Sequence, residues 1–531
     1  MKGQNKMNKK IISMMLAGAT LLSVSSCGKK EEAVNTDGPL TYWCKLETVH
    51  RTSVSTLADL AYYKTLMEKT GVDIEFIHPP AGQEQEQFNL MMSSRDYPDI
   101  IESGWATREG GAGKAISDKI IIPINDIVEK HAPNYKKVLD ENPNVKKAFT
   151  TDDGQLFGFG GVVITPDIIS GGLLIRRDML EKLGMEMPDS IADWELFFER
   201  AKNELGVKTP FTTDQFRMEN YMLFLNSYGV GPGFYLDENR KVQFGPARPE
   251  YKEYLETLSG WFEKGYLDNG LFSNTQAIAE AKILNDESAS FYGFIGSTIG
   301  RILPSAKNES FDIIGVKWPS KVEGEEPYIH TTAVLGEEGS KYGFSTGAMA
   351  GITTKNKNPE KTAKLFDYLY TEEGKLLKNF GIEGETYTMV DGIPTYTDKI
   401  LKDADGLPIA DAMGKYFRAT YPNPGFLNDI NYYNQYYAYE QQKETLEIYR
   451  DEYKIAKTSG LPPVSLTIEE SSEISNLLST INTYKTEMFT KFLMGTASLD
   501  TFDEYVKNLE GMGLARVLEV YNDALARYDA R

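Results

Sequence analysis

The chain has 531 residues, with 57 Lys and Arg against 77 Asp and Glu, a net charge of −20, four His and two Cys. At about 150 residues per domain the length allows three to four domains, or fewer large ones. A 41% hydrophobic and 25% charged composition excludes an extended disordered chain. The acidic balance argues against nucleic acid as a partner and against adsorption to anionic lipid through a basic patch. Two Cys cannot build a disulfide framework, and four scattered His make a zinc site improbable. The surplus is aromatic: 31 Tyr, 25 Phe and 5 Trp.

Residues 1–26 carry Lys2, Lys6, Lys9 and Lys10, an apolar run from Ile11 to Val24, and then Ser25, Ser26 and Cys27. A basic start, a short apolar stretch and small residues before a cut are the marks of a secretory signal. The apolar run is shorter than the ~20 residues of a membrane span. Val24-Ser25-Ser26-Cys27 resembles a bacterial lipobox, which implies that Cys27 becomes the lipid-modified first residue, with 27–38 as a flexible tether. Removing the signal takes away four Lys and no acid, leaving −24. With Cys27 acylated, Cys44 has no partner for a disulfide.

Along the body, Leu40 to Cys44 reads as a strand. A helix follows, with Leu57, Leu60, Ala61, Lys64 and Met67 on one face and Gly71 as its stop. Val72, Ile74 and Phe76 alternate as a second strand, Phe88, Met91 and Met92 mark a second helix, and Pro98 to Glu102 is a third strand. This β-α-β-α-β order predicts a parallel sheet in an α/β lobe, with ligand expected beyond the carboxyl ends of its strands, at Trp43 to Glu47 and Glu102 to Trp105. Further on, Gly171 to Asp178 reads as a strand whose Asp178 caps a helix ended by Gly184. Pro249 opens a helix with Tyr251, Tyr254, Leu255, Leu258, Trp261 and Phe262 in register, and another starts at Asn358-Pro359. Thr467 and Glu470 form a capping box that opens a helical C-terminal region.

The segments Leu40 to Trp43, Lys69 to Glu75, Asp96 to Ile101, Gly110 to Ile116, Leu174 to Leu180, Lys357 to Glu360, Gly381 to Tyr387 and Asp391 to Tyr396 resemble, in order and spacing, one family. It is the group-1 extracellular solute-binding lipoproteins of bacterial ABC importers, of the LplA/LipO-like branch. The resemblance implies a two-lobe class II periplasmic-binding-protein clamshell of α/β type, with residues 39–165 and 345–400 as lobe I and 166–344 and 401–531 as lobe II. It also implies a carbohydrate, an oligosaccharide above all, in the interlobe cleft, delivery to the ABC permease subunits, and a cell-surface place on the cytoplasmic membrane. No enzymatic step and no cofactor are expected. Relatives often carry a calcium loop where this chain has Ala201 to Phe211. The alternating oxygen ligands are missing there and Asp403-Ala-Asp-Gly406 reads as a turn, so no structural calcium is expected.

A sugar ring offers a flat C–H face to aromatic side chains and a hydroxyl rim to carboxylates and Arg. Trp194 and Trp261 lie in helical stripes and read as core. Trp43, Trp105 and Trp318 stand at strand ends and are expected at the cleft, with Glu47 and Glu102 beside the first two. Arg301, Glu385 with Tyr387, Tyr292 and Tyr421 complete the ligand-binding candidates, while the pairs Tyr432-Tyr433 and Tyr436-Tyr437 suit surface or interlobe packing. Gly343-Phe-Ser-Thr-Gly347 matches the G-x-S-x-G of a hydrolase elbow, but that elbow needs a strand before it and a helix after, and all four His (50, 78, 131, 330) precede Ser345. The His are expected on surfaces or loops. A surface glycan-degrading lipoprotein is the alternative function, and a peptide or other polar solute the alternative ligand.

Overall fold

The computed structural model describes residues 38–531 apart from 52, 109, 166–169, 222, 326–327, 330–340, 418–423 and 456. The signal, Cys27, His330 and Tyr421 lie outside the described residues. Nine strands build the two main sheets: β1 (Leu40–Trp43), β2 (Ile74–Ile77), β3 (Ile100–Ser103), β4 (Phe159–Val163), β5 (Gly171–Arg176), β6 (Ser290–Phe294), β7 (Ile313–Gly315), β8 (Gly343–Ile352) and β9 (Gly425–Leu427). The first sheet has the order β9-β4-β8-β3-β1-β2 and the second the order β6-β5-β7. β8 runs antiparallel to β3 and β4 while the other strands of the first sheet run one way. In the second sheet both neighbours are antiparallel to β5.

The first lobe follows the predicted β-α-β-α-β order. The helix Ala61–Thr70 ends where Gly71 takes the left-handed conformation (φ 65°) and returns its N–H to Met67, a turn that glycine adopts without steric cost. Alternation along β1 sends Tyr42 to one face of the sheet and Trp43 to the other. Tyr42 packs edge-on against Phe366 of the helix Pro359–Asp367, with ring centroids 5.9 Å apart. Trp43 packs against Phe88 of the helix Glu84–Ser94 at 5.8 Å. Both faces are therefore covered by helices, as a mostly parallel sheet requires.

The second lobe is built on an aromatic core. Trp194, Phe197 and Phe198 of the helix Ile191–Leu205 meet Trp261 of the helix Pro249–Glu263, and all four are at most 1% exposed. Both tryptophans are core, as their helical stripes indicate. Asp178, by contrast, does not cap the helix Arg177–Leu183, whose N-cap is Arg176. Its carboxylate instead takes both Nε (2.7 Å) and Nη2 (2.9 Å) of Arg176, whose Nη1 reaches Asp286 at 2.6 Å. A fully buried guanidinium outweighs a helix cap in its demand for an oxygen.

The chain passes between the sheets after β4, after β7 and after β9. β9 pairs in parallel with β4, so Gly425–Leu427, within the 401–531 stretch expected in the second lobe, complete the first sheet. The cause is a non-local strand pairing. Past β9, the helix Ile430–Tyr436 leads to the helix Glu440–Ile455, which lies on the second sheet: Gly315 N–H donates to Thr445 Oγ1 at 2.8 Å and Tyr449 Oη to Leu173 O at 2.8 Å. The missing side chain of Gly172 makes room for the Tyr449 ring, since a Cβ there would stand 2.6 Å from Cζ. The predicted capping box opens the helix Ile468–Leu493. The last helix, Leu514–Ala530, reaches the first lobe through Arg527 on Asp152 (2.7 Å).

Replacing Asp178 with Ala leaves Arg176 buried beside the single, half-exposed carboxylate of Asp286. We expect a loss of about 3–5 kcal/mol of stability, read as a lower urea midpoint with native circular dichroism retained in dilute urea; an unchanged midpoint would show that the pair contributes nothing.

Candidate functional site

The link from β4 to β5 is short, and backbone bonds fix both its ends: Ile164 N–H donates to Leu427 O at 3.0 Å and Ile295 N–H to Ser170 O at 2.8 Å. The carboxyl ends of β1, β3, β4 and β9 thus share one edge of the first sheet, which is joined to the edge of the second sheet made by the start of β5 and the ends of β6 and β7. Ligands of open α/β sheets bind at such carboxyl ends. The two edges define the candidate site.

On the second edge, Tyr292 and Phe294 stand on β6, with ring centroids 6.0 Å apart. Trp318 follows β7 and lies 6.2 Å from Tyr292, and Tyr221 of the helix Gln215–Tyr221 lies 5.1 Å from it on another side. Phe216 extends the row, 5.8 Å from Tyr221. Phe216 is 61% exposed and Tyr221 38%, while Tyr292 and Trp318 are half-buried. Arg217, ion-paired with Asp214, sits 5.3 Å from the Phe294 ring. The result is a row of ring faces partly open to solvent. Beneath Trp318, Glu452 is buried; its burial pushes the carboxyl up to about 8, against the pull of the Trp318 backbone N–H and Lys317, with Asp189 adding to the rise.

On the first edge, the sequence-based assignment of two tryptophans needs correction. Trp105 is 1% exposed and Trp43 7%. Trp105 donates from Nε1 to Ile101 O at 3.3 Å, and Phe88 lies 6.2 Å from it. Both indoles are floor rather than wall, because a strand end covered by helices on both faces is still interior. Glu102 is also buried; it accepts from Tyr42 Oη and shares the core with Lys378, whose ammonium burial pulls down to about 7. What the edge presents instead is Arg108, its Cζ 3.3 Å above the Phe88 ring. Glu47 is half-exposed, 3.3 Å from Lys45.

The remaining candidates are scattered. Arg301 donates to Glu280 at 2.7 Å and stands near Asp411 of the helix Ile409–Tyr416, whose carboxyl burial raises and Arg301 lowers. Glu385 is exposed and pairs with Lys399 at 2.9 Å. Tyr387 is 4% exposed, packed on Phe380, so its ring is closed to a ligand by the helix Glu372–Phe380. Tyr436 packs on Gly296 of the second lobe, the interlobe role expected of it. Gly343 to Gly347 opens the strand β8, and no helix follows it at an elbow. Asp403 forms a turn that accepts from the Asp405 N–H at 2.9 Å. His78 is spent on backbone, with Cys44 O at 2.9 Å and the Leu57 N–H at 3.1 Å, and His50 is fully buried rather than on a surface. Arg108, Phe216, Arg217 and Tyr221 were not singled out from the sequence. For Arg108 the signal existed, three residues past Trp105 at a strand end; for the others exposure on a short helix had none.

A family model for bacterial extracellular solute-binding protein matches residues 52–376. The chain is 25% identical, over 98% of its own length and 98% of the relative's, to the fructooligosaccharide ABC transporter substrate-binding protein FusA of Streptococcus pneumoniae serotype 4. Among solved structures it is similar to the alginate-binding protein AlgQ2 without calcium ion, with a TM-score of 0.76 and 23% identity over 93% of this chain and 99% of that one. It is also similar to S. pneumoniae FusA in complex with kestose, with a TM-score of 0.73 and 21% identity over 93% of this chain and 100% of that one. At these TM-scores the chain shares the fold of both structures.

Glu452 gives a pH test of the ground under Trp318. Its folded value lies above the ordinary carboxylate range, so the stability it contributes is complete below that range and is lost as pH rises to about 8. Glu452→Gln should therefore match the wild type in melting temperature near pH 4 and exceed it by a margin that grows up to pH 8; a constant margin would refute a buried neutral carboxyl.

Proposed function

We propose that this chain, which belongs to the bacterial extracellular solute-binding protein family, captures an oligosaccharide between its two lobes and hands it to the permease subunits of an ABC importer. The observation that carries the ligand class is the row Phe216, Tyr221, Tyr292 and Trp318, ring faces left partly open at the edge of the second sheet. Stacked sugar rings bury their C–H faces on such a row, and successive rings suit successive residues of an oligosaccharide. The name of the relative FusA, a fructooligosaccharide-binding protein, supports the same class. Glu47 on the first edge supplies a carboxylate for the hydroxyl rim. Recognition is a shift of an open–closed equilibrium by the ligand's greater affinity for the closed state, with no bond made or broken.

The body is held at the outer face of the cytoplasmic membrane by a lipid on Cys27, the residue after Val24-Ser25-Ser26. A single acyl chain gives only reversible anchoring and two or more give a stable anchor.

A thermal-shift screen over neutral and charged glycans and over peptides tests the ligand class, since a bound ligand raises stability by RT ln(1 + [L]/Kd). Glycans should raise the melting temperature and peptides should not; the reverse would overturn the reading. Trp318→Ala and Tyr221→Ala should each weaken glycan binding about tenfold, about 1.4 kcal/mol, with the melting temperature of the free protein nearly unchanged. For the anchor, Cys27→Ala should move the protein from the membrane fraction to the medium, and retention in the membrane would remove Cys27 from the proposal.

A further inference from the structure

We infer that Arg108 is the specificity residue of the cleft, and that the oligosaccharide it receives carries a carboxylate, as a uronic acid does. The inference rests on the oligosaccharide reading above and adds the charge of the ligand.

Arg108 sits in the turn that follows β3, where its backbone N–H donates to Gly104 O at 3.0 Å. Its guanidinium lies over the Phe88 ring, and Phe88 rests on the buried indoles of Trp43 and Trp105. Nε donates to Ser103 Oγ, and Nη1 reaches Gln85 Oε1 only at 3.5 Å. Gln85 is itself engaged, donating to Asn89 at 2.8 Å. The planar fork is thus fixed in orientation from below and behind, with Nη2 and most of its donors unspent. Arg presents five N–H donors in a geometry that matches a carboxylate with two parallel bonds.

The charge balance makes this fork unusual. Among the described residues no carboxylate lies within ion-pair distance of Arg108, in a chain where acids outnumber bases 77 to 57. Two arginines of the opposite lobe are already matched, Arg217 by Asp214 and Arg301 by Glu280. Two other cations are pulled below their usual values by burial, and each has a carboxylate acting on it: Lys378 has Glu102 and Lys485 has Glu219. Arg108 is pulled down to about 10 by burial with no such partner. A half-buried cation without a counter-ion loses more solvent when a ligand settles over it. A neutral sugar would leave that cost standing, and a carboxylate offsets it with a charge-assisted pair. A chain of net −20, and −24 without residues 1–26, also repels an anion at long range, so an anionic ligand needs a local positive contact to be held.

The test uses the purified protein and a set of uronic-acid tri- and tetrasaccharides, each beside its methyl ester, which keeps the sugar and removes the charge, together with neutral fructose and glucose oligomers. Calorimetry should find a uronate that binds about tenfold or more tighter than its ester, with affinity falling as salt rises. Arg108→Gln should lose that preference and its salt dependence while keeping its melting temperature, and Arg108→Lys should keep the salt dependence but lose affinity, because the fork is gone. Neutral oligomers binding as tightly as the uronates would overturn the inference and leave the oligosaccharide receptor standing. So would an Arg108→Gln variant with unchanged affinity for a uronate. Binding of peptides in place of any glycan would remove both.

Discussion

The architecture depends on one constraint: the two sheets are joined at strand ends. The first crossing runs from Val163 to Gly171, and Ile164 and Ile295 are hydrogen-bonded across its margins. A link that short cannot carry the second sheet away from the carboxyl edge of the first. Every group assigned to the cleft takes its place from that geometry, whether it stands on β6, after β7 or in the turn after β3. The second tie is steric. Glycines 172, 296 and 315 lack the side chains that would strike Tyr449, Tyr436 and Thr445, so the helices leaving β9 lie directly on the second sheet.

The aromatic surplus divides into three uses. Trp194, Phe198 and Trp261 fill the second core, where they stabilise by buried area and by tilted and edge-to-face ring contacts. Trp43 and Trp105 hold up Phe88, which in turn supports a guanidinium, so they would serve the proposed site from beneath without facing it. The row from Phe216 to Trp318 leaves ring area open to solvent at the edge of the second sheet. A protein that binds flat apolar surfaces has to expose aromatic area, and the rigid sheet edge beneath limits the entropy lost when a ligand covers it.

Local order was legible in the sequence wherever it was written in local pattern. The β-α-β-α-β start, the stop at Gly71, the capping box at Thr467 and the stripes through Trp194 and Trp261 all depend on neighbours within a turn or two. Depth was not legible. The rule that ligands lie beyond strand ends names an edge, but Trp43 and Trp105 at that edge are covered by helices whose docking the sequence does not encode locally. The pairing of Gly425–Leu427 with β4 was hidden for the same reason: a three-residue apolar strand suits many partners, and the true one lies far earlier in the chain. Arg108 shows the remaining gap. Whether a cation is matched depends on which acids fold beside it, and composition reports only the total.

The place of β8 in the first sheet bears on how the chain comes to be folded at all. β8 lies between β3 and β4, and β9 closes the far side; the second core likewise draws on residues as late as Val520. Neither half can be finished while the rest is still emerging, N-terminus first, from the machinery that makes or exports it. Until residue 352 is out, β3 and β4 each present an unpaired edge to solvent, and such edges recruit other chains. Contacts this distant along the chain are slow to close. A chain with this strand order spends its vulnerable interval with β3 and β4 each unpaired on one side, and shielding those edges is what that interval calls for.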